Sequence, residues 1–111
     1  MKKMQQGTLL RLYIGESDKH EGMPLHAWII QKAREKGLAG STVLRGFEGF
    51  GAHSKIHTAK ILMLSETLPL VVEIVDTKEK IEAFLPLVDA AICEGLVTLE
   101  EVRIRFYRNG N

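Results

Sequence analysis

The chain has 111 residues, 45% of them apolar and 26% charged, which suits one soluble globular domain over residues 1–111 and leaves no room for a second. A formal charge of +1 and a pI near 7.9 provide no broad positive field, which excludes bulk nucleic acid as a partner. The lone Cys93 rules out a disulfide framework or a thiolate metal site, and the apolar run after M-K-K-M-Q-Q-G is cut by Arg11 before it can form a signal core or a membrane span, so a cytoplasmic location is expected.

From Thr8 to Ile14, Leu10, Leu12 and Ile14 alternate with Leu9, Arg11 and Tyr13, the period of a strand with one deeply buried face; Gly15 ends it. Pro24 suits the first position of a helix, and Leu25, Trp28, Ile29 and Ala33 recur at helical spacing until Gly37. Ser41 to Phe47 reads as the second strand and, after a stretch without clear period, Leu70 to Val75 as the third. Asp76 and Glu79 have capping-box spacing, with Thr77 as the alternative cap of a second helix. Its apolar stripe is Ile81, Phe84, Leu85, Val88 and Ile92; Pro86 predicts a kink, Cys93 reads as a small buried hydrophobe, and Gly95 closes the helix. The last strand places Val102, Ile104 and Phe106 on one face and Arg103, Arg105 and Tyr107 on the other.

The order β-α-β-β-α-β predicts an α+β, ferredoxin-like fold: one antiparallel sheet with both helices on one face. The helix-free face would then carry Leu9, Tyr13, Val71 and Val75, too apolar to leave in water, and closed cyclic association of identical copies is the simplest way to bury it.

The segment G-L-A-G-S-T-V-L-R-G-F-E-G-F-G, from Gly37 to Gly51, concentrates glycine around a β-branched run. So much conformational freedom lost on folding implies tight turns or close approach of backbone to a ligand, and both readings stand. Gly46, Gly49 and Gly51 do not have dinucleotide-fingerprint spacing, but their amides suit an anion nest, with Arg45, Lys55 and Lys60 close in sequence. Arg103 and Arg105, two apart on a strand, would project from one face about 7 Å apart, either to share a phosphate chain or to protect a sheet edge. His53 and His57 are four apart with Glu48 nearby, but that spacing serves a metal only on a helix, and no third His or Cys is evident. No serine sits in a nucleophile-elbow setting and no motif pairs two carboxylates, so nothing announces an enzyme.

The glycine segment resembles the stretch leading into the T-loop of PII nitrogen-regulatory proteins. Together with L-R-L-Y-I-G-E, M-P-L-H-A-W-I, L-P-L-V-V-E-I-V-D and E-G-L-V-T-L-E-E-V-R-I-R, nearly the whole chain resembles the uncharacterised PII-like family. The resemblance implies a homotrimer with its sheets facing inward and adenine-nucleotide sites, AMP or ADP favoured, in the clefts between subunits. It places Gly49, Phe50 and Gly51 against the nucleotide, Thr42 and Val43 on the adenine side, and Arg103 and Arg105 on the phosphates; Lys55, from the cations read beside the glycine segment, is expected to assist. No metal is expected. The chain departs from PII proper in three ways: the T-G-x-x-G-D-G-K segment that wraps phosphates is missing, Ala52-His53 follows G-F-G where PII has Gln, and no Tyr lies between Gly51 and Pro69. Triphosphate grip, 2-oxoglutarate sensing and uridylylation are therefore not implied.

The expected function is a small PII-like signalling protein whose Ala52 to Thr67 loop responds to the nucleotide and is read by an effector protein, a membrane transporter or channel being the kind that other PII-like regulators serve. Two alternatives belong to other classes: a divalent-metal-responsive trimer resembling copper-tolerance proteins, using His53, His57 and Glu48, and a non-catalytic scaffold subunit.

Overall fold

In the computed structural model, residues 5–50, 56–58, 68–108 and 110 are described. Four strands form the main antiparallel sheet: β1 (Gln5–Gly15), β4 (Ser41–Arg45), β7 (Pro69–Asp76) and β8 (Leu96–Ile104), in the order β4-β7-β1-β8. Helices α1 (Leu25–Glu35) and α2 (Lys78–Ala91) follow the first and third of these strands, so the βαββαβ order and the ferredoxin-like arrangement are as expected.

The core follows from the two periodicities. Leu10, Leu12 and Ile14 of β1 face the same way as Leu70, Val72 and Ile74 of β7, because the register pairs Leu10 with Ile74 and Leu12 with Val72. Against that face lie Leu25, Trp28, Ile29 and Ala33 of α1 and Ile81, Phe84, Val88 and Ala91 of α2, all buried. Helix α1 stops in a Schellman motif: Leu38 N–H donates to Ala33 O at 3.0 Å and Gly37 N–H to Arg34 O at 3.1 Å, with Gly37 at φ +78°. Of the two candidate caps for α2, Thr77 does the work: its Oγ1 accepts Lys80 N–H at 3.3 Å.

Short elements absent from the sequence reading are added. Strands β2 (Lys19–His20) and β3 (Met23–Pro24) pair across a two-residue turn with both Glu21 (φ +52°) and Gly22 (φ +80°) left-handed, the geometry that hairpin twist favours. This hairpin covers the start of α1, with the His20 ring edge-on to Trp28 at 4.5 Å and Trp28 Nε1 donating to Glu21 Oε1 at 3.3 Å. A ribbon of β5 (Glu48–Phe50) and β6 (Ile56–Thr58) stands beyond β4.

Three boundaries or placements differ from expectation. The second main strand ends at Arg45, not Phe47, because Gly46 turns its N–H onto Pro69 O at 2.6 Å. The last strand starts at Leu96 and ends at Ile104, so it does not include Arg105, Phe106 or Tyr107. Cys93 is exposed: α2 ends at Ala91, and the thiol sits in the turn after it, outside the helical pattern that suggested burial.

The helix-free face carries Leu9, Tyr13, Leu44, Val71, Val75 and Leu96, with Tyr13 38%, Leu44 48% and Leu96 56% exposed. At its centre Arg11 spans three strands, Nε donating to Glu73 Oε2 of β7 at 2.8 Å and Nη1 to Glu100 Oε1 of β8 at 3.3 Å. The hydrogen bond to Glu73, reinforced by the charges of Glu73, Tyr13 and Glu100 and opposed by burial, raises the Arg11 pKa above its ordinary value, so this cation holds its proton at every working pH.

Candidate functional site

All four main strands are antiparallel to their neighbours, which fixes what meets at each end of the sheet. At one end lie the start of β1, the start of β4, the end of β7 and the end of β8: Gln5 pairs with Ile104, Thr8 with Asp76, and Ser41 with Ile74. A cleft of about 480 Å³ opens there, within the range of small-ligand pockets, with Gly40, Ser41, Thr42, Glu73, Val75 and Ile104 among its walls. The segment after β8 closes one side of it with Phe106 and Tyr107.

Asp76 organises this end. It is buried, and its Oδ2 accepts Ala39 N–H at 2.9 Å while Oδ1 accepts Thr77 N–H at 2.6 Å, tying the approach to β4 to the start of α2. Glu73 brings the Arg11 pair to the cleft wall, so the floor mixes apolar strand side chains with one fixed ion pair.

The glycine segment leads to the other end. Gly15 pairs with Pro69, Arg45 with Leu70, and a Cβ on Gly49 would lie 3.5 Å from Pro69 Cγ, so β5 stands beside the start of β7. From Pro69 to Glu73, the cleft residue of β7 nearest the ribbon, is four strand steps, about 13 Å.

The sequence-derived site residues divide accordingly. Thr42 lines the cleft. Val43, one residue on, points to the helices and packs on the core opposite Val72. Gly49 and the Phe50 backbone belong to β5, paired with His57 and Ile56. Gly51 and Lys55 lie outside the described residues, as does Lys60. Arg103 sits near the end of β8 opposite Gln6, on the face that bears the helices and not on the face of the cleft, and Arg105 lies just past it; neither lines the cleft, both are exposed, and neither makes a hydrogen bond or ion pair among the described residues. With Arg105 off the strand, the strict two-residue repeat that would set both guanidiniums on one face does not extend to it. Arg45 is already engaged, its Nη2 at 2.8 Å from Glu16 Oε2 and 3.0 Å from Oε1.

The metal arrangement finds no support in the backbone. Residues 56–58 are a strand, so the helical spacing that would align His57 with His53 does not hold at His57, and His53 lies outside the described residues. Among the described residues no group of three His, Cys, Asp or Glu is placed to hold an ion, and no helix is long and apolar enough to cross a membrane.

Ala39, Gly40, Ser41, Glu73, Val75, Phe106 and Tyr107 were missed as site residues. The signal was the topology itself: in a βαββαβ sheet the starts of the first two strands and the ends of the last two share one edge, whatever motif they carry.

Comparison with known proteins identifies the family and the fold. The DUF190 family, described as "Uncharacterized ACR, COG1993", matches residues 7–104. A UPF0166 protein of Aquifex aeolicus (strain VF5) is 40% identical over 96 residues, covering 86% of this chain and 90% of its own length. One from Methanocaldococcus jannaschii is 30% identical over 102 residues, covering 91% and 94%. Among solved structures, CPII of Thiomonas intermedia K12, a nitrogen regulatory PII-like protein bound to ADP, AMP and bicarbonate, superposes with a TM-score of 0.65 at 15% identity over 94% of this chain and 92% of its own. The B. subtilis GlnK–ATP complex gives 0.55 at 14% identity over 87% and 82%. At these identities the structural likeness concerns the fold, which is that of the PII-like proteins, while the sequence match is to a family: the chain belongs to the DUF190 (UPF0166) family.

Proposed function

We propose that this chain is a single PII-like domain acting in the cytoplasm as a homotrimeric regulatory protein, not an enzyme. It binds AMP or ADP in clefts between subunits and presents the Ala52 to Thr67 loop to an effector protein.

The observation that carries the reading is the separation of the two half-sites. The cleft with Thr42 lies toward one end of the sheet, the end at which Arg103 and Arg105 stand without lining it, and the glycine ribbon with Gly49 lies at the other, about 13 Å from Pro69 to Glu73 along β7. Between them lies the apolar sheet face with Tyr13, Leu44 and Val71, which the protomer itself does not cover. Three copies related by a closed rotation, each covering part of the next one's apolar sheet face, would bring the ribbon of one to the cleft of its neighbour. The base would enter the partly apolar cleft beside Thr42. The phosphates would meet the two exposed arginines and the backbone amides that glycines leave open, with Lys55 completing the cationic side. CPII holding ADP and AMP, and GlnK holding ATP, on the same fold support an adenine nucleotide as the ligand.

Binding works as a switch because the ligand's contacts differ between arrangements of the loop. Ordering a loop costs on the order of 1 kcal/mol per residue, so a few amides and arginines can shift its population and thereby what an effector meets.

Titration calorimetry with ADP and AMP tests this directly. Saturable binding is expected at one site per protomer, weakened about tenfold or more by Arg103→Ala, the loss typical of a charge-assisted hydrogen bond, and abolished by Gly51→Val. Absence of any heat from either nucleotide at millimolar concentration would overturn the proposal.

A further inference from the structure

The cleft is covered on one side by a piece of chain that belongs to no helix or strand. After Ile104 the backbone leaves β8, one edge of the sheet, and heads across its end. Three residues later Tyr107 Oη donates to Ala39 O at 2.8 Å, and Ala39 precedes β4, the opposite edge. The outer strands of a four-stranded sheet are about 14 Å apart. Three extended residues span at most about 11 Å, so the tyrosine side chain closes the remaining distance.

We propose that residues Arg105 to Arg108 form a hinged cover over the cleft, that Tyr107 is its latch, and that a ligand enters and leaves only when the Tyr107–Ala39 contact is open. The inference rests on the reading of this cleft as the nucleotide site and adds to it how access is controlled.

Three observations carry it. The two sides of the latch are unequally held. Ala39 is pinned from behind, its N–H on the buried carboxylate of Asp76, which also takes Thr77 N–H. Tyr107 is 73% exposed and, among the described residues, is anchored by this one neutral hydrogen bond. A fixed catch and a weakly held bolt make a contact that opens without disturbing the sheet. Next, the wall behind the latch is built for approach: a Cβ added at Gly40 would meet nothing within 4 Å, so a ligand reaching that backbone encounters no side chain. Finally, the cover itself carries binding chemistry. Phe106 lines the cleft, and the Arg108 guanidinium lies 3.9 Å from the centre of its ring, which holds a cation on the moving part. A planar heterocycle with an anionic tail matches an aromatic ring with an arginine stacked on it.

A gate and a wall behave differently. If the latch only gates, its loss raises entry and exit rates alike and leaves the equilibrium constant nearly unchanged; a wall that grips the ligand alters exit alone. Stopped-flow binding of a fluorescent N-methylanthraniloyl ADP to the full chain reads both rates. Tyr107→Phe keeps the ring and removes the hydroxyl. It is expected to speed association and dissociation together by about two- to tenfold, the factor one neutral hydrogen bond is worth, with the dissociation constant within twofold and an unchanged melting temperature. Unchanged rates, or faster dissociation alone, would overturn the latch. Hydrogen exchange of the apoprotein gives a readout that needs no ligand: the amides of Ala39 to Thr42 should exchange faster in Tyr107→Phe while those of Leu10 and Leu12 do not change. If the wild-type chain binds no ADP, the nucleotide reading fails on its own. The cover is then judged by exchange, and equal protection in both proteins would remove it.

Discussion

Gly46 stands against Pro69: a Cβ there would lie 2.7 Å from Pro69 Cγ and 3.2 Å from its carbonyl oxygen. Neither a proline ring nor a strand carbonyl gives way easily, so Gly46→Ala should lower stability by about 1–3 kcal/mol, the usual effect of overfilling a packed site, seen as a lower urea midpoint. Gly49, three residues on, supplies the control. Its Cβ would make ordinary contact at 3.5 Å, and Gly49→Ala should stay within about 0.5 kcal/mol of the parent. A larger loss at Gly49 than at Gly46 would contradict this packing. Asp76→Ala removes the acceptor for both Ala39 N–H and Thr77 N–H, and a loss of about 1–3 kcal/mol is expected from the donors left without a partner. None of these three roles was visible in the residue string. Gly46 was read as a member of a ligand-binding glycine cluster and Asp76 as a helix cap, because the partners that define them, Pro69 and Ala39, are far away in sequence.

At the scale of elements, the final turn of α1 carries a pH-dependent contact. Lys32 Nζ lies 3.3 Å from Glu35 Oε1 and Gln31 Nε2 donates to Oε2 at 3.3 Å; the Lys32 hydrogen bond first, then that from Gln31, hold the Glu35 carboxyl below its ordinary 4.5. A depressed folded-state pKa means stabilisation that is complete above 4.5 and is lost as pH falls through the lower folded value. Cα chemical shifts of residues 34–36 should therefore drift toward coil values on acidification below that point, and Glu35→Gln should remove the drift. The effect is small at an exposed site and shrinks further in high salt. In α2, Pro86 lies inside the helix and lacks the donor for its turn, so Pro86→Ala should raise stability by about 2 kcal/mol, helix gain less the added freedom of the unfolded chain. The main elements were legible because each has a clean period: alternation in β1 and β7, and the three-and-four spacing of Leu25, Trp28, Ile29 and Ala33 in α1. The β2–β3 hairpin was not, since its strands are two residues long and Glu21 adopts a left-handed conformation that its residue type does not announce. The last strand was misplaced because V-R-I-R-F-Y alternates more sharply than L-V-T-L-E-E, yet pairing with β1 begins at Leu96 and ends at Ile104, opposite the first described residue, Gln5.

For the whole molecule, the apolar helix-free sheet face and the split site point to the same assembly. The face was legible from Leu9, Tyr13, Val71 and Val75; the Arg11–Glu73–Glu100 bridge across it was not, because it joins three strands that are distant in sequence. Val71→Asp puts a third carboxylate beside that bridge on an otherwise apolar patch, and the expected outcome is a monomer by sedimentation with the melting transition still cooperative. The central claim is that each nucleotide site takes its glycine ribbon from one protomer and its cleft and terminal arginines from the next, and calorimetry of mixed variants tests it most directly. The double variant Arg103→Ala/Arg105→Ala and the variant Gly51→Val should each assemble and bind no ADP. Unfolded and refolded together in equal amounts, they should regain about a quarter of the wild-type sites, the fraction of interfaces that random mixing leaves with both intact halves. Mixtures that recover no binding, or a monomeric wild-type chain that binds ADP by itself, would contradict the account.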